Sequence, residues 1–152
     1  TTTTPVLTKQ QHKKDFLKIM EAHDLPYVAT TSPSYPIDLY EKFVRAKRIK
    51  GTRFIHIHVP CPPGWAYPTK DTVRIGRLAV ETGVVVLFEI ENGKLCFTGR
   101  SRTLAEKGNR LPVVNYIERQ GRFKKMSIEQ LSQFQRWVDN RWNELLERAA
   151  KG

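Results

Sequence analysis

Thr52-Arg53-Phe54-Ile55-His56-Ile57-His58-Val59-Pro60-Cys61-Pro62-Pro63-Gly64-Trp65 is the stretch that decides the fold. Ile55, Ile57 and Val59 alternate with Phe54, His56 and His58, the period-2 pattern of a strand over 52–59. Pro60, Pro62 and Pro63 then end any ladder, because proline carries no amide donor and fixes its own φ.

Helical patterns flank this strand on both sides. Upstream, Pro36 suits a first helical turn, and Ile37, Tyr40, Phe43 and Val44, with Lys47, fall at helical spacing. Arg45, Lys47, Arg48 and Lys50 crowd its end, where cations suit the helix dipole, and Gly51 stops it. Downstream, Val73, Ile75, Leu78, Ala79 and Val80 predict a helix over 71–82, capped by Gly83. Tyr27–Thr30 and Val84–Ile90 read as buried strands. Gln10–His23 reads as a first helix carrying Phe16, Leu17, Ile19 and Met20. Asn92-Gly93 marks a turn from which Leu95–Thr98 returns as a hairpin. Gly99–Arg110 reads as basic and irregular, and Pro112–Ile117 as extended. Ser127 and Gln130 form a capping box for a last helix with Ile128, Leu131, Phe134, Val138, Trp142 and Leu145 on its apolar face.

Helices and strands thus alternate, which predicts one α/β segment over 1–152 with a mostly parallel sheet. No internal repeat or long linker divides it. Such a sheet normally opens with a strand before the first helix. Here only Thr1-Thr2-Thr3-Thr4-Pro5 precede it, so part of the sheet is expected upstream.

Composition limits the function classes. A chain of 152 residues, 39% hydrophobic and 27% charged, can bury a core and is not a disordered chain. No apolar run approaches the roughly 20 residues that span a bilayer. Two cysteines, Cys61 and Cys96, exclude a disulfide-dense scaffold. The net charge of +11 attracts anions: nucleic acid, an acidic membrane surface, phosphorylated ligands or an acidic protein. The basic stretches Arg45–Lys50 and Arg100–Arg110 lack interleaved aromatics and match no nucleic-acid signature, so they read as solvated faces or contacts to an acidic partner. A basic, non-enzymatic binding module is the rival class.

Cys61 is the leading candidate for chemistry. It follows a strand's carboxyl end, where open α/β sheets place their sites, in a turn fixed by prolines and Gly64. As a nucleophile it needs a base and a lowered pKa. As an iron–sulfur ligand it needs three more thiolates. His56-x-His58-x-x-Cys61 also has feasible spacing for zinc, though it lacks a fourth ligand, and the histidines equally read as two polar strand positions. Cys96 lies in an apolar strand and reads as core. Trp137 and Trp142 read as core or interface. Neither a phosphate-cradling glycine loop nor a Ser-His-Asp pattern is present.

Phe54–Trp65, with Thr1–Pro5, Leu25-Pro26-Tyr27-Val28-Ala29-Thr30, Ile75–Gly83 and Tyr116-Ile117-Glu118-Arg119-Gln120-Gly121-Arg122-Phe123, resembles in family order the β subunit of the pyruvate synthase type of 2-oxoacid:ferredoxin oxidoreductase. The resemblance covers nearly the whole chain. It implies the C-terminal half of a thiamine diphosphate-binding fold, completed by the N-terminal half of the β subunit. It implies oxidative decarboxylation of pyruvate, or of another 2-oxoacid such as 2-oxoglutarate, 2-oxoisovalerate, phenylglyoxylate or oxalate, with acyl transfer to coenzyme A and electrons passed to ferredoxin. The implied cofactors are thiamine diphosphate with Mg2+, bound mostly upstream of this chain, and a [4Fe–4S] cluster of which Cys61 is the last of four ligands. Thr3 and Thr4 would lie near the thiamine site. The implied partners are α-, γ- and δ-type subunits, with no nucleic acid and no membrane, in a cytoplasmic setting. The segment alone is not expected to be active. The upstream Gly-Asp-Gly segment and asparagine of the family are absent, and His58 stands where many relatives carry an aliphatic residue.

Overall fold

The computed structural model describes residues 14–151. Thr3, Thr4 and the start of the helix expected from Gln10 lie outside them.

Asp15 caps the first helix, α1 (Phe16–Glu21), accepting the Leu17 and Lys18 amides at 3.2 Å. Strand β1 (Tyr27–Thr31) follows, then α2 (Pro36–Arg48), β2 (Arg53–Ile57) and the single turn α3 (Pro62–Trp65). A 3-10 turn (Thr69–Asp71) leads into α4 (Thr72–Glu81). The hairpin β3 (Phe88–Glu91) and β4 (Lys94–Phe97) precedes α5 (Gly99–Lys107) and α6 (Val114–Ile117). After a 3-10 turn (Gly121–Phe123) the chain ends in α7 (Ile128–Lys151). Among these, no helix is long and apolar enough to cross a membrane.

The four strands lie in the order β2-β1-β3-β4. β1 runs parallel to β2, with Tyr27 opposite Arg53 and Thr31 opposite Ile57. β3 runs antiparallel to β1, with Thr30 opposite Phe88, and β4 antiparallel to β3. The mostly parallel sheet expected from the alternation is therefore corrected: it is mixed and mostly antiparallel. The cause is where α4 goes. It packs against α5 and α6 instead of carrying the chain back along the sheet. The chain re-enters beside the carboxyl end of β1, where Thr30 Oγ1 donates to the Val86 carbonyl and accepts the Phe88 amide at 3.1 Å. From that end only an antiparallel strand can form. For the same reason 84–87 is a connection, and the strand starts at Phe88.

β1 is buried on both faces, as a central strand must be. Val28 packs with Leu17, Phe88, Ile90, Leu95, Phe97, Trp142 and Leu145. Tyr27 and Ala29 face Ala46 of α2. A separate cluster of Ile75, Ala79, Val113, Tyr116, Ile117 and Val138 binds α4, α6 and α7 together. Full burial of one such Val or Ile contributes roughly 1.5–3 kcal/mol.

Several expectations are overturned. α2 buries Asp38, Lys42 and Ala46, while Ile37 and Tyr40 of its apolar stripe are 73% and 70% exposed. The sheet beneath it explains the inversion. Lys42 Nζ reaches the Thr30 carbonyl at 2.5 Å and the Asp38 carboxylate at 2.8 Å, and Thr31 Oγ1 donates to Asp38 at 2.8 Å. Burial holds the Lys42 pKa below its usual value, with the Asp38 charge opposing the shift.

Residues 99–107 are helical. Leu104 and the buried Ser101 anchor α5, and Ser101 Oγ accepts the Leu87 amide at 2.8 Å. Residues 114–117 form a helical turn instead of an extended segment. Cys96 is exposed, because Leu95 and Phe97 take the core face of β4. Ile128 is 89% exposed at the start of α7. The hairpin turn is as expected, with Asn92 and Gly93 at φ 50° and 82°. So is the capping box: the Ser127 and Gln130 amides are each bonded to the other's side chain, at 2.9 and 3.2 Å.

Candidate functional site around Cys61

The parallel pair β1–β2 shares one carboxyl edge, and the last ladder bond there runs from the His58 amide to the Thr31 carbonyl at 2.8 Å. Beyond it Val59 is 59% exposed. Cys61 is extended (φ −114°, ψ 100°) and caps α3, its carbonyl accepting the Trp65 amide at 2.9 Å. Pro62 and Pro63 occupy the first helical positions, where no amide partner is needed. Ala66 ends the turn in the left-handed region at φ 54°. Cys61 is exposed. A β-carbon on Gly64 would stand 3.1 Å from its Sγ, so glycine keeps that flank of the sulfur clear.

A second segment, remote in sequence, closes on this turn. The Gly121 amide donates to the Ala66 carbonyl at 2.9 Å. A β-carbon on Gly121 would lie 2.8 Å from both the Ala66 methyl and that carbonyl oxygen, so the approach needs glycine. The Arg122 guanidinium lies 3.9 Å over the Trp65 ring and 4.5 Å over Phe123. Its Nε donates to Gln120 Oε1 at 2.9 Å and a terminal nitrogen to the Tyr116 hydroxyl at 3.2 Å. Buried Gln120 is itself fixed by donating to the Tyr116 carbonyl at 2.7 Å. Trp65 also faces His58, ring centroids 5.6 Å apart, and Tyr67 at 6.3 Å. An open depression of about 470 Å3 lies alongside, lined by Pro62, Pro63, Ala66, Tyr67, Pro68 and Thr69.

Burial lowers the Arg122 pKa, and Tyr116, Tyr67 and Cys61 oppose that shift. Burial raises the Tyr67 and Tyr116 hydroxyls above the usual phenol value. The Tyr67 hydroxyl is buried without a hydrogen-bond partner among the described residues.

Among the described residues no group of three or more His, Cys, Asp or Glu side chains is placed to hold a metal ion, so His56, His58 and Cys61 do not assemble as a zinc site. Cys96 stands on edge strand β4 and Cys61 past edge strand β2, three strand spacings or about 14 Å across the sheet. They cannot share one cubane. Cys61, exposed and beside Gly64, is open to supply one thiolate to a [4Fe–4S] cluster, and the described residues offer no second thiol beside it. Residues 14–151 form no acidic group for magnesium and no glycine-rich phosphate loop, so they do not fit the magnesium-diphosphate part of thiamine diphosphate.

The sequence singled out Cys61 and its prolines. It marked Tyr116–Phe123 as one of the stretches that carry the resemblance but did not reveal that Gln120-Gly121-Arg122 meets the Cys61 turn.

No family model matches the chain. It is 41% identical over 145 residues to the pyruvate synthase subunit PorB of Methanocaldococcus jannaschii, covering 93% of this chain and 47% of that protein. Identity to the PorB subunit of Methanothermobacter marburgensis is 44% over 133 residues, 88% of this chain and 44% of that one. To the ketoisovalerate oxidoreductase subunit VorB of Pyrococcus abyssi it is 40% over 137 residues, 90% and 43%. The chain belongs, over the matched residues, to the β subunits of 2-oxoacid:ferredoxin oxidoreductases. It spans a little under half the length of these relatives.

Proposed function

We propose that residues 1–152 are the C-terminal half of the β subunit of a thiamine diphosphate- and iron–sulfur-dependent 2-oxoacid:ferredoxin oxidoreductase. The enzyme oxidatively decarboxylates a 2-oxoacid to an acyl-coenzyme A and CO2 and passes electrons to ferredoxin. The carrying observation is the Cys61 turn, a thiol held by prolines on a strand end and cleared by Gly64. The cluster supplies one-electron storage when bound. This chain's part is to present one thiolate from a backbone that cannot shift, which keeps reorganisation on electron transfer small.

The N-terminal half of the subunit completes the sheet at β2. Among the described strands β2 pairs only with β1, and most of its positions are exposed, Ile57 included. An open edge of this kind is a ready template for another strand. Thiamine diphosphate and Mg2+ are held by that other half, with Thr3 and Thr4 near them. The α-, γ- and δ-type subunits supply the rest of the site, and the setting is cytoplasmic.

Pyruvate is the proposed substrate, resting on the likeness of the Cys61 loop and of Gln120-Gly121-Arg122-Phe123 to the pyruvate synthase branch. Turnover of a 2-oxoacid panel by the intact complex tests it; 2-oxoisovalerate used in preference to pyruvate overturns the substrate and leaves the family. Cys61→Ala in the assembled complex tests the site. The expected result is loss of about four irons per β subunit and of one cluster's electron paramagnetic resonance signal. Unchanged iron and spectrum refute the ligand.

A further inference from the structure

Arg122 is held on every side. Aromatic rings lie at 3.9 and 4.5 Å, and Gln120 and Tyr116 take its nitrogens at 2.9 and 3.2 Å. Guanidinium stays ionised throughout the range in which proteins are stable, so this is a fixed positive charge. Among the described residues it forms no salt bridge, and neither Gln120 nor the two rings neutralise it. Trp65, the ring it stacks on at 3.9 Å, belongs to the turn that Cys61 opens, and its amide donates to the Cys61 carbonyl at 2.9 Å. The turn that carries Cys61 is also tied to the turn that carries Arg122 by the Gly121–Ala66 backbone bond.

We propose that Arg122 is a positioning residue for the redox centre: its clamped guanidinium sets positive charge behind the Cys61 thiolate and raises the reduction potential of the cluster that thiolate holds. The inference rests on Cys61 being a cluster ligand. Reduction of a [4Fe–4S] cluster adds one electron and no proton, so the reduced form carries one more negative charge. A cation fixed nearby, half-buried where water screens little, favours that form. Stacking between Trp65 and Phe123 keeps the charge in place in both oxidation states. Lysine retains the charge without the planar stack, whereas glutamine retains polar bulk without the charge.

The test is a dithionite redox titration of the full complex, followed by electron paramagnetic resonance, with iron content measured on the same samples. Arg122→Gln is expected to keep the iron and shift the midpoint potential of one cluster to a more negative value. Arg122→Lys is expected to recover most of that shift. A cluster that survives only in the lysine variant likewise supports the charge. An unmoved potential with iron intact in Arg122→Gln overturns the proposal, and so does loss of the cluster in both variants, which makes the role one of packing alone. Cys61→Ala run in parallel separates the two layers. An intact cluster there removes the ligand reading, while a lost cluster there with an unmoved Arg122→Gln potential removes only the Arg122 inference.

Discussion

Gly76→Ala should loosen the support beneath the Cys61 turn. Gly76 is buried on α4 with a helical backbone, so alanine loses no conformation there. Helix propensity alone favours alanine by about 1 kcal/mol. Space opposes it. A β-carbon at Gly76 would overlap Ser34 Oγ outright and lie 2.8 Å from Ser34 Cβ and 3.4 Å from Pro60 Cγ. The hydroxyl can rotate away, but the Ser34 β-carbon moves only with its backbone, and Ser34 is buried in the loop between β1 and α2. Overpacking of this severity costs about 3 kcal/mol, which leaves a net loss of ~2 kcal/mol. At 1.4 kcal/mol per factor of ten, that is about 30-fold more frequent opening. Amide hydrogen exchange of the assembled enzyme reads it directly, with acceleration expected in peptides covering 72–81 and 58–66. Ser34→Gly removes both offending atoms and should return most of the loss. Ser34→Ala leaves the β-carbon and should return less. Exchange in Gly76→Ala as slow as in the parent, or no relief from Ser34→Gly, refutes the reasoning.

Two further outcomes follow from buried polar groups. Burial, aided by the Glu81 charge, pushes the Tyr35 hydroxyl up to about 12, and burial with the Glu89 hydrogen bond raises Tyr27 as well. Both hold their protons more tightly folded than unfolded, so their contribution is complete below pH 10 and is lost as pH rises from there, through about 12 for Tyr35 and beyond it for Tyr27. Tyrosinate absorbance at alkaline pH should therefore rise together with loss of circular dichroism; every tyrosine ionising near pH 10 in an intact fold would contradict this. Lys42→Met strands the buried Asp38 carboxylate and should cost about 3–5 kcal/mol in denaturant unfolding of the full-length subunit, with Asp38→Leu/Lys42→Leu recovering most of it. A cost below about 1 kcal/mol for the single change would show that the pair is not needed.

Local chemistry was readable wherever a few adjacent residues decide it. Asn92-Gly93 supplies two consecutive positive φ values, which a tight hairpin demands, and Ser127 with Gln130 satisfies its own amides. Strand direction was not readable, because alternation has the same period whichever way the chain runs. It is fixed by α4 packing onto α5 and α6, a choice made between elements. α5 carries no readable periodicity, because Leu104 is its lone large apolar anchor. For Cys96 residue type and an apolar strand suggest burial, yet its neighbours Leu95 and Phe97 occupy the inner face. At the site, prolines and glycine around Cys61 announced a rigid turn. Spacing arguments reach only about one helical turn, so the contact between Arg122 and Trp65 lay beyond them.

The inverted polarity of α2 governs how that helix can move. An apolar stripe seated on a sheet can slide with modest loss, since one aliphatic contact replaces another. α2 is instead located by Lys42, whose amine meets Asp38 and one particular carbonyl, that of Thr30. Displacement by a single turn carries the amine about 5.4 Å from that carbonyl and the Asp38 carboxylate as far from the Thr31 hydroxyl, so the buried pair moves together but loses both of its anchors on the sheet. Register slip is thereby suppressed while the outer stripe of Ile37, Tyr40 and Phe43 stays uncommitted. The helix can change what touches its outer face without changing where it sits.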